Sequence, residues 1–327
     1  MILAIDSGTT RTRVWMLPGS GDPVAAASDV AGARDLAQAR DRAWLRATVR
    51  KVTDEAIVAV GADWADVEAA VGFGMITSEL GLVEVPHLVA PVGRPELAAA
   101  MAERSAGVLP VPLFLVPGVR TDANRLSRTD VMRGEETEIA GLLTLDRLAS
   151  PLLYVSPGSH SKFAWVDDQG RIAWSVTTLS GELLWALRRE TILAELVDPD
   201  SADLDPARVD EGARIAESAG LTRALFLTRI ANLLVGLSPV ECSSLLHGAV
   251  ARTDLTALEG ALPAGTSPVS VALSGAGPLR ECYQRLLEQR TWVRNVELVD
   301  EPLGAIGARF LYERRVHLGE EGRTLHA

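Results

Sequence analysis

The sequence predicts an α/β protein built from two copies of a unit of three strands followed by a helix. Residues 2–15, ILAIDSGTTRTRVW, align without gaps on residues 152–165, LLYVSPGSHSKFAW, so that Ile5 meets Val155, Gly8 meets Gly158, Thr9 meets Ser159 and Trp15 meets Trp165. Each copy is followed by a turn and a third apolar stretch, PVAAASDV after Gly19-Ser20-Gly21 and RIAWSVTT after Asp168-Gln169-Gly170. A helical stretch then follows in both halves, around 40–60 and 181–194.

Taken in order, Ile2 to Ile5 and Val14 to Leu17 are short aliphatic or β-branched runs of the kind that form buried strands. Between them Asp6-Ser7-Gly8-Thr9-Thr10-Arg11 concentrates a carboxylate, a glycine, two adjacent hydroxyls and basic charge. That composition suits either an ordinary polar hairpin or a turn whose N–H groups and hydroxyls face a phosphate, with Asp6 near enough to hold a cation. Recurrence of the turn at 157–162 favours the second reading. A candidate strand from Val67 to Phe73 runs into GFGMITSELGLVEVPHL, which is rich in turn formers and reads as a binding loop or a surface hairpin. SVALSGAGPL, residues 270–279, is a strand entering Ser274-Gly275-Ala276-Gly277 and then a helix. Glycines there either allow the backbone to approach a flat ligand, as at an adenosine site, or simply make a tight turn. EPLGAIGARFLYE, 301–313, is a closing helix with small residues at 304, 305, 307 and 308 for close packing. The chain has neither a Walker A sequence nor a full GxGxxG, so P-loop and Rossmann folds lose ground.

Composition narrows the function classes. A chain of 327 residues with 47% hydrophobic content can bury a substantial core in about two domains. A net charge of −11 argues against a protein that binds nucleic acid by neutralising phosphates. No run of 18 apolar residues suggests a membrane span, and Asp6 interrupts the first apolar run, which is unlike a signal peptide. Cys242 and Cys282 form no metal motif or disulfide framework, so the expected compartment is the cytoplasm. Only Lys51 and Lys162 are lysines among 32 basic residues, which draws attention to Lys162 inside the second turn.

The duplicated hairpins resemble the actin-like ATPase (ribonuclease H-like) architecture of sugar kinases and heat-shock chaperones, which implies two lobes, each a βββα unit, around a nucleotide cleft. Nearly end to end the motifs resemble the 2-dehydro-3-deoxygalactonokinase family: DSGTTRTRVW, GMITSELGLVEVP (74–86), VPGV (116–119), DVMRGEETEIAGLL (130–143), PGSHSKFAWV (157–166) and SGELLWAL (180–187). Departures are small. Ser7 stands where the family usually has a bulky residue, Ser159 where it has Thr, and ECSSLLHGAV is more polar than the usual helix there.

The resemblance implies an N-terminal lobe over 1–128 with the first hairpin and a sugar-acid loop, and a C-terminal lobe over 129–327 with the second hairpin and the adenosine site. It implies phosphorylation of 2-dehydro-3-deoxy-D-galactonate at its terminal 6-hydroxyl, with ATP and Mg²⁺ as cofactors. A small-molecule sugar acid is the expected partner, with no nucleic acid and no membrane; a homodimer is one assembly open to the chain, whose oligomeric state the sequence leaves undetermined. Asp6 is the expected metal carboxylate, acting through water. Gly8, Thr9, Thr10, Arg13, Gly158, Ser159 and Lys162 are the expected phosphate ligands, and His160 either joins them or caps its turn. Ser274, Gly275 and Gly277 are the expected nucleotide residues. Met75, Ser78, Glu84, Arg133 and Glu136 are the expected substrate residues, Arg133 pairing with the substrate carboxylate. Glu135, after Gly134 at a helix start, is the expected catalytic base. Glu136 and Asp130 rival it, and acidic residues in a first turn also serve the helix dipole alone. Alternatives are a kinase of another keto-sugar acid or of a neutral sugar, or a non-catalytic actin-like module.

Overall fold

The computed structural model describes residues 1–8, 11–19, 22–29, 42–104, 107–121, 125–197 and 202–324. In chain order the first elements are β1 (Ile2–Ser7), β2 (Thr12–Leu17), β3 (Val24–Asp29), α1 (Arg42–Ala59), β4 (Ala69–Gly74), β5 (Leu88–Val89), α2 (Arg94–Ala99), β6 (Ala102–Arg104), β7 (Leu113–Leu115), β8 (Val119–Thr121), β9 (Asp130–Met132) and α3 (Glu135–Thr144). The repeat of this pattern follows as β10 (Leu152–Ser156), β11 (Ser161–Val166), β12 (Ile172–Thr178) and α4 (Ser180–Glu190). Then come α5 (Pro206–Ala219), α6 (Leu221–Ile230), α7 (Pro239–Ala261), β13 (Val269–Leu273), α8 (Pro278–Glu288), β14 (Val293–Leu298) and α9 (Leu303–Thr324). Both expected βββα runs are therefore present.

One sheet has the strand order β3-β2-β1-β4-β7-β6, and another β12-β11-β10-β13-β14. In each, the first strand of the repeat sits beside its hairpin partner on one edge and a parallel strand on the other: β1 pairs with β4, and β10 with β13. A parallel neighbour needs a crossover, which α1 provides in the first repeat, and it buries the strand on both faces. That burial is why Leu3, Ala4 and Ile5 are fully buried, as are Leu152 to Val155. A small third sheet, β5-β8-β9, leads into α3.

The chain folds into two compact units, residues 1–150, 166–174 and 301–327 in one, and 151–165 and 175–300 in the other. A lobe boundary at 128 remains a proposal; residues 129–150 and the last helix pack with the first unit. The first unit's core packs Leu3, Ile5, Val14 and Met16 of the sheet against Leu45, Val49 and Val52 of α1 and against Ile76 and Leu82. On another side α9 lies against α3 so closely that a Cβ on Gly307 would stand 1.9 Å from the Thr137 carbonyl oxygen. A Cβ on Gly141 would stand 2.1 Å from that of Leu303. The small residues expected in this helix serve that close approach, and the helix runs past the stretch read from the sequence to Thr324. In the second unit α5 and α7 make a similar approach, through Gly212 against Leu245 and Gly248 against Val209. Among the described residues, no helix is long and apolar enough to cross a membrane.

Candidate functional site

Each unit assembles its own polar group at the C-terminal ends of its parallel strands. In the first unit Asp6 is the penultimate residue of β1, in register with Arg13 on β2 and Phe73 on β4. Its carboxylate lies 3.5 Å from Arg13 and is one-fifth exposed. Beside it β4 ends at Gly74, whose φ of 78° favours glycine and where a Cβ would stand 2.6 Å from the Ser7 carbonyl oxygen and 3.4 Å from Asp6 Oδ1. The residue before α3, Gly134, has φ of 118° and comes within 3.4 Å of the Gly74 Cα when a Cβ is built on it. Two glycines thus let three chain segments converge, which brings the start of α3 to Asp6.

Three carboxylates share that place in different states. Burial pushes the Asp6 carboxyl up to about 6, Arg13 opposes the rise and the neighbouring Glu135 adds to it. Glu136 is fully buried, and both its oxygens accept the Gly134 N–H, at 2.9 and 2.8 Å. Burial first and Glu135 second raise it to about 7. Glu135 is only partly buried, and its Oε2 accepts the Arg133 N–H at 3.1 Å. Glu135 is the member of the pair with surface to offer a ligand.

Arg133 is held by the loop that follows β4. Its Nη1 donates to the carbonyl and the hydroxyl of Thr77, both at 2.6 Å, and its Nη2 donates to the Val85 carbonyl at 3.1 Å and lies 3.0 Å from His87 Nε2. Both terminal nitrogens are spent on the loop 75–87, so the guanidinium braces that loop and has little left for a bidentate substrate carboxylate. Burial, with the Arg133 and Arg120 charges, holds His87 below its usual range. Ser78 is buried with its hydroxyl donating to the Met75 carbonyl at 2.8 Å, Met75 is half-buried, and Glu84 is exposed. Gly8 closes the first hairpin by donating to the Arg11 carbonyl at 2.8 Å; Thr9 and Thr10 lie outside the described residues. The brace residues Thr77 and His87 were not singled out by the sequence, since a threonine and a histidine inside a turn-rich loop carry no spacing signal.

In the second unit the hairpin Pro157–His160 rests on the N-terminus of α4. A Cβ on Gly181 would stand 2.2 Å from the Gly158 carbonyl oxygen, the Glu182 N–H donates to the Ser159 carbonyl at 3.1 Å, and His160 Nε2 lies 3.6 Å from Glu182. Lys162 is buried in β11 with its ammonium donating to the Thr177 hydroxyl on β12. A buried carboxylate that the sequence did not flag, Asp254 on α7, fixes the start of α4. It accepts the Ser180 and Tyr283 hydroxyls, both at 2.5 Å, while burial raises its pKa. At the end of β13, Ser274 turns inward to share a 2.8 Å hydrogen bond with the Tyr154 hydroxyl. Gly275 (φ 76°) and Gly277 (φ 90°) carry the chain into α8. Between hairpin, α4, this turn and α7 lies a pocket of about 320 Å³, lined among others by Gly158, Leu184, Arg188, His247, Ala276 and Leu279. Gly158 and the residues flanking the Ser274 turn thus share one pocket, while Ser274 itself serves the sheet.

The comparisons with known proteins agree with this architecture. A family model described as 2-keto-3-deoxy-galactonokinase matches residues 6–301. A Rhizobium meliloti (strain 1021) protein assigned as a 2-dehydro-3-deoxygalactonokinase is 27% identical over 305 residues, 91% of either chain. The Escherichia coli (strain K12) 2-dehydro-3-deoxygalactonokinase is 26% identical over 261 residues, 78% of this chain and 80% of that one. A crystal structure from Sinorhizobium meliloti, of a protein assigned the same activity, superposes with a TM-score of 0.75 at 26% identity, covering 97% of this chain and 99% of the other. The fold is that of the actin-like ATPases and sugar kinases, and the chain belongs to the 2-keto-3-deoxy-galactonokinase family.

Proposed function

We propose that this kinase transfers the γ-phosphoryl group of ATP to the terminal 6-hydroxyl of 2-dehydro-3-deoxy-D-galactonate, giving 2-dehydro-3-deoxy-6-phosphogalactonate. The observation that carries the chemistry is the convergence of Asp6 and the first turn of α3 where Gly74 meets Gly134. Phosphoryl transfer to a hydroxyl asks for little covalent work from a protein and much positioning of charge. A group must also take the proton of the attacking hydroxyl. Glu135 suits that task, because it is partly exposed while Glu136 is buried on the Gly134 N–H.

Asp6 fits a hydrated Mg²⁺. It is a partly exposed carboxylate whose pKa is raised by burial and by Glu135 and only partly lowered by Arg13, and Mg²⁺ characteristically binds through one or two carboxylates while keeping its waters. When bound with the nucleotide, the ion would neutralise charge on the transferring group. Arg13 adds positive charge at the same strand ends. The second-unit pocket supports the nucleotide reading, its hairpin carrying backbone N–H groups at 158–160 and its Gly275–Gly277 turn permitting close approach. Arg133 fixes the loop that carries Met75, Ser78 and Glu84, which would face the sugar acid.

The test is ADP release on a panel of 2-dehydro-3-deoxygalactonate, its C4 epimer, other keto-sugar acids and neutral hexoses, with and without Mg²⁺. The galactonate derivative should give the highest kcat/KM, and only with the metal. Preference for a neutral sugar, or no turnover on any acid, would overturn the proposal.

A further inference from the structure

His247 is the residue of the nucleotide pocket that no motif announced. It belongs to the segment ECSSLLHGAV on α7, is 2% exposed, and still lines the pocket with Arg188 of α4 and Leu279 of α8. Its Nδ1 lies 2.8 Å from the Ser243 carbonyl oxygen, one turn back on the same helix, and 3.4 Å from the Ser243 hydroxyl. A carbonyl oxygen only accepts, so Nδ1 carries the ring proton and donates it. That bond fixes the tautomer and leaves Nε2 as a bare lone pair. Burial, with the Arg188 charge nearby, holds the ring's pKa down to about 4, which keeps it neutral throughout the range of an ordinary assay. The remaining walls, Leu184, Ala276, Pro278 and Leu279, are apolar and suited to the faces of a flat ring, and Gly158 puts the second hairpin at the same pocket.

We infer that His247 selects the purine: Nε2 accepts a hydrogen bond from an exocyclic 6-amino group, and it rejects a 6-oxo purine, whose oxygen would meet it lone pair to lone pair. This rests on the nucleotide pocket proposed above, and it names the group within it that distinguishes adenine from hypoxanthine or guanine. A site that offers only an acceptor discriminates twice, by the bond it makes to the amino group and by the repulsion it imposes on the oxo group.

Equilibrium binding of Mg-ATP and Mg-ITP, measured by calorimetry without sugar acid, tests the assignment independently of turnover. The unmodified protein should bind ATP at least about tenfold more tightly than ITP, the change expected of one good hydrogen bond. His247→Leu should weaken ATP about tenfold, leave ITP within about twofold and so erase the ratio. His247→Gln, whose amide offers an acceptor or a donor, should retain ATP binding and gain ITP. It decides the matter if the leucine variant does not fold. Equal binding of ATP and ITP by the unmodified protein, or an unchanged ratio in both folded variants, overturns the inference. Ala276→Trp, an exposed position on the same pocket, should weaken both nucleotides more than about tenfold. If it weakens neither, the nucleotide binds elsewhere and the pocket falls together with the role of His247. Kinase activity without adenine selectivity sinks only the present inference; adenine-selective binding without turnover sinks only the proposed reaction.

Discussion

Glu135 and Glu136 are neighbours in sequence with opposite environments, and that difference makes them separable by experiment. Glu135→Gln keeps volume and a hydrogen bond but cannot take a proton, so kcat should fall by about 10²–10⁴ with the KM for the sugar acid nearly unchanged. Full kcat in this variant would move the base elsewhere, with Asp130 the next to test. Glu136 gives a stability signature instead. Its folded pKa of about 7 lies above the ordinary carboxylate value of 4.5. Between those values the folded protein holds a proton that the unfolded chain has released, so this residue's contribution falls as pH rises through that window and levels off above it. Glu136→Gln removes that loss. Thermal unfolding should show the variant gaining on the unmodified protein by up to about 3 kcal/mol from pH 4.5 to pH 7.5, and a pH-independent difference would refute the assignment. Asp6→Asn removes the charge proposed to hold Mg²⁺, and turnover should drop by orders of magnitude with the unfolding midpoint retained. The sequence pointed to Asp6, Glu135 and Glu136 as polar residues at the ends of apolar strands and at a helix start. It did not separate partly buried Glu135 from fully buried Glu136, because the segments packed on that turn, α9 and the Gly74 end of β4, are remote in sequence. Arg133 was legible as a cation beside the proposed base, but its acceptors Thr77, Val85 and His87 come from a loop some fifty residues away.

The elements hold these residues through close backbone approaches. α4 presses its first turn on the second hairpin at Gly181, where any side chain would meet the Gly158 carbonyl at 2.2 Å. Gly181→Ala should therefore displace the hairpin and raise the KM for ATP severalfold or more, with a smaller effect on the sugar acid; equal effects on both would deny the hairpin a phosphate role. The α3–α9 crossing depends on Gly141 and Gly307 in the same way. Gly307→Ala overpacks a buried crossing with main-chain atoms on the far side, and should cost about 1–3 kcal/mol in denaturant unfolding. The strands of both repeats were legible from apolar runs bounded by turn residues, and α9 from its small-residue spacing. α9's full length was not, because its last turns are polar and lie beyond the apolar pattern.

At the scale of the molecule the chain duplicates one unit and then returns to the first. Residues 301–327 group with residues 1–150 although about 150 residues separate them in sequence. A fragment of residues 1–150 lacks α9, leaving the Gly141 face of α3 and the Phe73 side uncovered. It should show little tertiary structure by near-UV circular dichroism, and joining residues 301–324 to it, with residues 166–174, should restore that signal. A fragment folding fully without α9 would show that the crossing is dispensable.

Local pattern alone determined the repeat and the order of strands and helix within each copy, because alternation, glycine placement and hydroxyl clusters are properties of a few consecutive residues. Those same properties carry the resemblance to the family that the comparisons establish. Tertiary structure alone decided which carboxylate is buried, which cation is already spent, and that Asp254 and His247 stand at the second hairpin and the pocket beside it. These outcomes depend on the dielectric and the partners that distant segments bring to a side chain, and no window of neighbouring residues contains that information.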